Sequence, residues 1–195
     1  MTGQIHDMVL HNGSIFSLCG IRGDGLFDPA DYGLEPSEMS TACRRGYHCL
    51  YAIKEDILYL EHVKIGHNAD RPVRFDRHSQ VKLFGVGPAE GDHLGSTFTA
   101  LNQRMFFSGS LLLGRDFIAE LYRHIGFQLP HNCRTVVELT FEAGTVVQAA
   151  DRSEEMREIR QQQAREEREE RRRLLHASEK KTSLRPVAGV FSLEY

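Results

Sequence analysis

Apolar runs of strand length, separated by turn residues, follow one another through most of this 195-residue chain. Residues 8–18 place Asn12-Gly13 between two such runs, and this dipeptide strongly favours a two-residue hairpin turn. Residues 47–53 and 57–65 predict a second hairpin around the polar turn Lys54-Glu55-Asp56. Two antiparallel hairpins are therefore expected in the first third of the chain.

The strand over residues 57–65 alternates between two sets of side chains. One face carries Ile57, Tyr59, Val63 and Ile65. The opposite face carries Leu58, Leu60 and His62, so both faces of this strand are expected to be partly covered.

A strand followed by a helix is predicted in the middle of the chain. Residues 106–113 form an apolar run of strand type. Asp116 is a suitable N-cap, apolar residues then recur at helical spacing, and Gly126 is a suitable helix stop. We therefore expect a packed helix over residues 116–126.

A third hairpin is predicted after this helix, because residues 135–141 and 145–149 flank Glu142-Ala143-Gly144. The predicted body, residues 1–150, is then a mostly antiparallel β-sheet with one packed helix. This is an α+β fold rather than a regular βαβ alternation.

Polar segments separate these elements. Residues 20–40 are rich in Gly, Asp and Pro and are expected to form a loop, with a short helical turn over residues 36–39. Residues 66–80 are expected to form a long polar excursion. Residues 81–86 are expected to form a short strand before another Gly-rich loop.

The character of the chain changes at residue 151. Residues 151–181 contain 19 charged residues among 31, with no Gly and no Pro, and predict a charged helix. Its apolar positions are too sparse for a coiled-coil seam. Residues 182–195 form the remainder, in which residues 187–195 favour a final strand that returns to the body.

Composition and charge exclude several classes of protein. The net charge is −3, which excludes the strong basic excess of a dedicated nucleic-acid-binding protein. No apolar stretch approaches the ~20 residues of a membrane span, and the N-terminus lacks the features of a signal peptide. Four cysteines without a Cys-x-x-Cys pair indicate reduced thiols, so we expect a cytoplasmic protein.

No motif in the sequence carries recognisable catalytic or metal chemistry. His62 and His67 are one residue further apart than zinc ligands on one helix, and they fall in strand or loop. Cys43 and Cys49 have Arg and His neighbours, but strand geometry sends the side chains of His48 and Cys49 to opposite faces. We therefore predict no catalytic residue, metal site or cofactor.

Several residues remain as candidates for ligand or partner binding. Arg44, Arg45 and Tyr47 place two guanidinium groups beside an aromatic ring, which suits a carboxylate, a phosphate or a stacked base. Tyr122 and His124 are polar-tipped residues of the predicted helix, where Tyr122 is expected to pack in the core and His124 to face water. The local basic cluster of the charged helix is Arg171, Arg172 and Arg173.

The chain resembles a group of small uncharacterised bacterial proteins over about residues 8–148. The shared pattern is Ser40-Thr41-Ala42, then Arg45-Gly46-Tyr47, and further on Leu58-Tyr59-Leu60. Further matches are Phe107-Ser108-Gly109-Ser110-Leu111, Tyr122-x-His124-x-Gly126-Phe127 and Glu138-Leu139-x-Phe141-Glu142-x-Gly144. Arg44 stands where the group has an aromatic residue, and Tyr51-Ala52 where it has Trp-Glu. The resemblance implies a compact α+β unit with no established activity and, by analogy, an immunity or accessory component of a bacterial conflict system.

These observations favour a non-enzymatic protein-interaction module whose charged helix docks on a protein partner. One alternative is a small hydrolase or transferase that uses residues 44–47 with a nearby His or Cys. A weaker alternative is RNA binding through Arg171, Arg172 and Arg173. The sequence leaves the oligomeric state open.

Overall fold

The computed structural model describes residues 2–66, 82–92 and 95–183. The chain divides into two compact units, Met1–Arg157 and Glu158–Tyr195. The first unit, called the body below, holds the strands of the described residues, and the second begins inside the C-terminal helix. Among the described residues strand predominates over helix, so the fold is α+β with β-structure dominant.

The body is built from short and medium-length strands that precede one long helix. The strands are β1 (Met8–His11), β2 (Ser14–Asp24), β3 (Tyr47–Lys54), β4 (Ile57–Gly66), β5 (Glu90–Asp92), β6 (Gly95–Phe98), β7 (Gln103–Arg104), β8 (Ser108–Phe117), β9 (Cys133–Glu142) and β10 (Thr145–Asp151). The helix is α1 (Ser153–Ser183).

The strands form one sheet that curls back on itself. Their order is β10-β9-β8-β2-β1-β3-β4-β6-β5, with β7 paired to β4. The pairing of β1 with β3 is parallel, and the other pairings of described strands are antiparallel. Thr145 of β10 also pairs with Ile57 of β4, and the Leu58 N–H donates to the Gly144 carbonyl at 2.8 Å. The path from β4 to β10 therefore closes around a common core.

This core is apolar and excludes water. Its largest fully buried side chains are Tyr51, Phe98, Phe107, Phe141, Leu58, Leu60, Ile65, Leu111, Leu113 and Leu139. The rings of Phe107 and Phe141 meet edge to face with centroids 5.6 Å apart. Burial of each such side chain contributes about 1.5–3 kcal/mol before the entropic cost of folding.

All three predicted hairpins are confirmed. Their turn residues are Asn12-Gly13, Glu55-Asp56 and Ala143-Gly144. Both residues of each turn have a positive φ, between 47° and 84°, as the two-residue type I′ turn requires. The turn twist matches that of the flanking strands, which explains why local sequence was sufficient to locate these elements.

The predicted faces of β4 are wrong because the strand contains a bulge. Its fully buried apolar side chains are Leu58, Leu60, Val63 and Ile65. Leu60 pairs with Tyr51 and His62 pairs with Leu50, which leaves Glu61 as the extra residue. A one-residue insertion exchanges the two faces of a strand beyond it. The core face therefore changes from even to odd positions at Glu61.

The predicted packed helix over residues 116–126 is also wrong. β8 instead continues to Phe117, which pairs with the start of β9. Asp116 caps no helix: it has a φ of 59° and accepts a hydrogen bond from Thr135 Oγ1 at 2.7 Å. A single 3-10 turn, Ala119–Leu121, follows. Phe117 pairs with β9, and the Ile118 N–H donates to the Asn132 carbonyl at 2.8 Å. These long-range contacts hold the start of the segment in extended conformation and override the helical spacing of its apolar residues.

Three smaller predictions also fail. Residues 20–24 continue β2 and pair with β8, so the loop expected over residues 20–40 begins only after Asp24. The short helical turn lies at Pro29–Tyr32 rather than at residues 36–39, and Asp28 caps it by accepting the Ala30 N–H at 2.9 Å. Residues 81–86 do not form a strand in their described part: Leu83 and Val86 face each other across a tight turn. The Asp28 cap sets the position of the helical turn, and a tight turn between Leu83 and Val86 takes the place of the expected strand.

The charged helix is confirmed as α1, and Asp151 accepts the Ser153 N–H near its start at 2.8 Å. Among the described residues, no helix is long and apolar enough to cross a membrane. The polar excursion expected beyond residue 66 and the final strand expected over residues 187–195 fall outside the described residues.

Candidate functional site

Asp7 and Arg45 form a buried ion pair at one edge of the body. Arg45 Nη1 donates to Asp7 Oδ2 at 3.0 Å, and Nη2 donates to Oδ1 at 2.5 Å. Asp7 Oδ1 also accepts the backbone N–H of Cys49 at 2.6 Å. The Asp7 side chain is only 8% exposed. These contacts give the buried carboxylate the partners that its burial requires.

Arg45 is further held by aromatic neighbours. Its Nε donates to the Tyr47 carbonyl at 2.8 Å, and its guanidinium lies 4.7 Å from the Tyr47 ring and 5.8 Å from the Phe127 ring. Burial opposes the charge of Arg45, but the hydrogen bonds and charge of Asp7 outweigh it and raise the pKa of the guanidinium. The structure thus brings Arg45 and Tyr47 together, and both Nη atoms of Arg45 are bound to Asp7.

Arg44 occupies a different environment from Arg45. Its backbone N–H donates to Gln4 Oε1 at 3.1 Å, while its side chain is exposed. Gln4 in turn donates its backbone N–H to the Gly126 carbonyl at 2.8 Å. Arg44 makes no ion pair with any residue in the described part of the chain. It therefore presents an uncompensated positive charge beside the N-terminal segment.

His6 joins three separate segments of the body. Its Nδ1–H donates to the Leu18 carbonyl at 2.8 Å, and its Nε2 accepts the Gln128 N–H at 3.0 Å. Its ring also lies 5.1 Å from the Phe127 ring. Because the Gln128 amide can only donate, these two bonds fix the neutral ring with its proton on Nδ1. His6 therefore links the segment of residues 118–132 to β2 through Gln128.

Tyr122 and His124 lie within this fixed segment and not on a helix. Tyr122 is 42% exposed, so the expectation that it packs in the core is wrong. Its hydroxyl accepts the Gly3 N–H at 3.0 Å, and its ring meets those of Phe117 and His124 at 6.4 and 5.0 Å. His124 is exposed, as expected. The two rings contact each other at the surface.

Two adjoining cavities open on this side of the body, and His6 and Cys19 line both. The larger cavity, of about 360 Å³, lies among β2, the end of β8 and the start of β9. The smaller, of about 230 Å³, reaches Arg45 and Phe127. The larger volume falls in the range of small-ligand pockets. The cavities lie side by side around one pair of shared residues.

Cys19 and Cys133 meet at the floor of the larger cavity. Their side chains are hydrogen-bonded to each other, and Cys19 also donates to the Ser17 carbonyl at 3.5 Å. The hydrogen bond with Cys133, together with burial, raises the pKa of the Cys19 thiol. None of the four cysteines of the chain is in a disulfide. The Cys19 thiol is therefore protonated at neutral pH.

Large apolar side chains surround both cavities and remain exposed to solvent. We call this surface the cavity face, and it consists of Ile15, Ile21, Phe117, Tyr122 and Phe127. Their exposed fractions range from 42% to 55%. Five such residues around adjoining hollows form an apolar patch of the kind that marks binding sites.

The predicted basic cluster lies on the second unit. Arg171, Arg172 and Arg173 are exposed on α1, and Arg173 lies 3.9 Å from Glu169. Arg171 lines a shallow hollow with Glu167, Glu170, Leu174 and Leu175. Glutamates thus neutralise much of the charge that RNA binding would use.

The sequence reasoning missed His6, Asp7, Cys19 and Cys133. Each is an isolated residue without a motif, and only the closed sheet brings them together. Within the described ranges, no group of three His, Cys, Asp or Glu side chains is arranged to hold a metal ion. No family model, curated protein or solved structure matches this chain.

Proposed function

We propose that this protein is a non-enzymatic binding module for another protein, and that the cavity face is its binding surface. The observation that carries the proposal is the set of five exposed apolar side chains around two adjoining cavities. Protein interfaces are enriched in aromatic and large aliphatic residues at their centres. Such anchors contribute most when they fill preformed hollows.

The surface is held in shape before a partner arrives. His6 links Gln128 to Leu18 of β2 through its two ring nitrogens. The Asp7–Arg45 pair fixes the neighbouring edge. A preorganised surface loses less conformational entropy on binding, so more of the contact energy appears as affinity.

The charges beside the cavity face indicate the chemistry of the partner. Arg44 and Arg123 form no ion pair with other residues of the described chain, whereas Arg45 is neutralised by Asp7. Arg44 is linked to the Gly126 segment through Gln4, and the Arg123 backbone bonds to the Gln128 side chain. We expect the partner to insert an aromatic or aliphatic side chain flanked by Asp or Glu.

The resemblance to small bacterial proteins supports a biological setting for this module. It favours an immunity or accessory role in a bacterial conflict system, with the protein acting in the cytoplasm. In that setting the partner would be a toxin or effector protein that presents the apolar and acidic residues described above.

Peptide display tests the proposal and does not require the partner itself. A random peptide library would be panned on the immobilised full chain and, in parallel, on the Ile21→Glu variant. We expect wild-type selection to enrich peptides with an apolar anchor beside acidic residues, and the variant to lose them. Enrichment of the same peptides on both proteins, or of no such peptides on the wild type, would refute the proposal.

Synthetic peptides from that selection allow a matched comparison. Ile15→Glu and Ile21→Glu should each weaken binding by at least about tenfold, which corresponds to roughly 1.4 kcal/mol. Val147→Glu is the control, because Val147 is 51% exposed on β10 and lines neither cavity. This control should leave affinity within about twofold of wild type.

The enzyme alternative receives less support from the same residues. Arg45, Tyr47, His6 and Cys19 do lie near one another, but both His6 nitrogens and the Arg45 fork already have protein partners. A nucleophilic cysteine needs a lowered pKa, whereas the pKa of Cys19 is raised. The described groups thus lack an activated nucleophile.

Docking through the charged helix stays a prediction. Leu174 and Leu175 are 64% and 58% exposed, and they offer a small apolar spot on α1. A Leu174→Glu variant in the peptide titration separates the two surfaces. The proposal for the cavity face requires that the Leu174→Glu variant bind the selected peptides with wild-type affinity.

A further inference from the structure

The thiols of Cys19 and Cys133 form a pair that the proposed function does not use. Cys19 lies on β2 and Cys133 begins β9, and these strands flank β8. Both side chains line the cavity of about 360 Å³ and are hydrogen-bonded to each other. Two sulfur ligands therefore share one cavity that small solutes can enter.

A space remains between these two sulfurs because Gly114 on β8 has no side chain. A Cβ atom added at Gly114 would lie 2.7 Å from Cys133 Sγ and 2.8 Å from Cys19 Sγ. Both sulfurs therefore approach one point that any residue larger than glycine would fill. The two strands direct their thiols to the same gap above the central strand.

The number and kind of ligands select the class of metal. Thiolates are soft ligands that favour Cu(I), zinc and iron–sulfur clusters. Structural zinc requires four ligands in a tetrahedral arrangement. Among the described residues no third His, Cys, Asp or Glu completes a group with the two thiols. His6 cannot contribute, because both its ring nitrogens are hydrogen-bonded.

We propose that Cys19 and Cys133 form a two-thiolate binding site for a thiophilic monovalent metal ion of the Cu(I) class. Each thiol loses its proton to solvent as its sulfur binds the metal, so one ion displaces two protons. Copper stays in the +1 state, and no oxidant or reductant is consumed. The metal proposal does not rest on the protein-binding proposal, because neither cysteine belongs to the cavity face, although the metal site and that face share one cavity.

A competition titration tests the site. The reduced full chain would be titrated anaerobically with Cu(I) in the presence of the chelator bicinchoninate. We expect the chain to withdraw one Cu(I) per molecule and to retain no Zn(II) under the same conditions. Cys19→Ser and Cys133→Ser should each reduce the Cu(I) affinity by more than the roughly 10–100-fold that loss of a supporting group around a metal site costs.

Two further variants sharpen the comparison. Gly114→Ala retains both thiols but places a methyl group between them, so it should weaken Cu(I) binding while all four cysteines still react with a thiol reagent after unfolding. Cys43→Ser is the control, because Cys43 is buried elsewhere and hydrogen-bonds to the Tyr47 carbonyl. It should bind Cu(I) as the wild type does.

X-ray absorption at the copper edge examines the wild-type chain directly and does not depend on whether the variants fold. The proposal requires two sulfur ligands and no nitrogen ligand. Failure of the wild type to compete with the chelator would overturn it, as would a nitrogen ligand or unchanged binding in the Cys19→Ser, Cys133→Ser double variant. Conversion of the two thiols to a disulfide in place of metal binding would also overturn it.

Discussion

Asp7 and Arg45 are 38 residues apart in sequence and form a two-pronged ion pair that joins the N-terminal segment to the start of β3. The same carboxylate binds the backbone of Cys49, inside β3. This pair forms one wall of the smaller cavity. Loss of this ion pair would therefore both destabilise the body and change the shape of the cavity face.

Replacement of Asp7 by Asn should destabilise the protein strongly. The amide retains the size of the carboxylate but leaves the charge of Arg45 without its partner. We expect a loss of about 3 kcal/mol in the free energy of unfolding, at the low end of the range for a buried pair because Arg45 is 28% exposed. Urea unfolding measures it, and Asp24→Asn, at an exposed aspartate, should change stability by less than about 0.5 kcal/mol. Equal effects of the two substitutions would contradict this account of the pair.

Two glycines in turns of the same type should respond differently to alanine. Gly13 has a φ of 71°, and no atom lies within 4 Å of a Cβ added there. Gly13→Ala should therefore lower the free energy of unfolding only by the roughly 1–2 kcal/mol that a non-glycine residue loses in the left-handed conformation. At Gly144 an added Cβ would lie 1.9 Å from the Met105 carbonyl, next to the closure of β10 on β4. Gly144→Ala should therefore lower the thermal midpoint further than Gly13→Ala. Similar midpoints would show that the closure is looser than described.

His48 should make folding stability depend on pH. Burial lowers the pKa of His48 below 6.5; the charge of Asp7 opposes this shift, and those of Arg45 and Lys64 reinforce it. The unfolded chain then binds the proton at a higher pH than the folded chain does. Stability should therefore fall as the pH drops below about 6.5 towards the folded pKa.

The His48→Gln variant isolates this contribution. Its urea midpoint should change less than that of wild type between about pH 7.5 and 5.5, because one proton-linked group has been removed. If His48→Gln instead follows the wild-type curve, His48 does not govern the pH dependence.

His6 should control the mobility of the segment that carries Tyr122 and Phe127. His6→Ala removes the acceptor of the Gln128 N–H and the donor to the Leu18 carbonyl. Hydrogen exchange followed by NMR should show faster exchange of the Gln128 amide, while amides between β8 and β9 stay protected. Exchange of Gln128 at the wild-type rate would mean that other contacts hold the segment.

The sequence predicted those parts of the fold that local chemistry decides. The Asn12-Gly13 hairpin and the charged helix follow from turn preference and composition, and both are present. The helix expected over residues 116–126 failed because β8 extends to Phe117, where it pairs with β9, and only a single 3-10 turn follows. The predicted faces of β4 are wrong because a single bulge at Glu61 changes the alternation. No residue type in the sequence indicates this bulge.

The candidate site was predictable only in part for the same reason. Residues 44–47 were identified from their own chemistry, and the structure places Arg45 against Tyr47. Asp7, the partner of Arg45, lies in a segment without any motif. Cys19 and Cys133 meet only because β2 and β9 flank β8 and Gly114 leaves room. Such long-range juxtapositions depend on strand order, which local pattern does not specify.

The most direct test of the binding proposal is NMR mapping on the isotope-labelled full chain, with a peptide obtained from the display selection. The largest amide shifts are predicted along β2, at the end of β8 and over residues 117–128, where the cavity face lies. Shifts centred on β10 around Val147, or on α1 around Leu174, would contradict the proposal that the cavity face binds the partner.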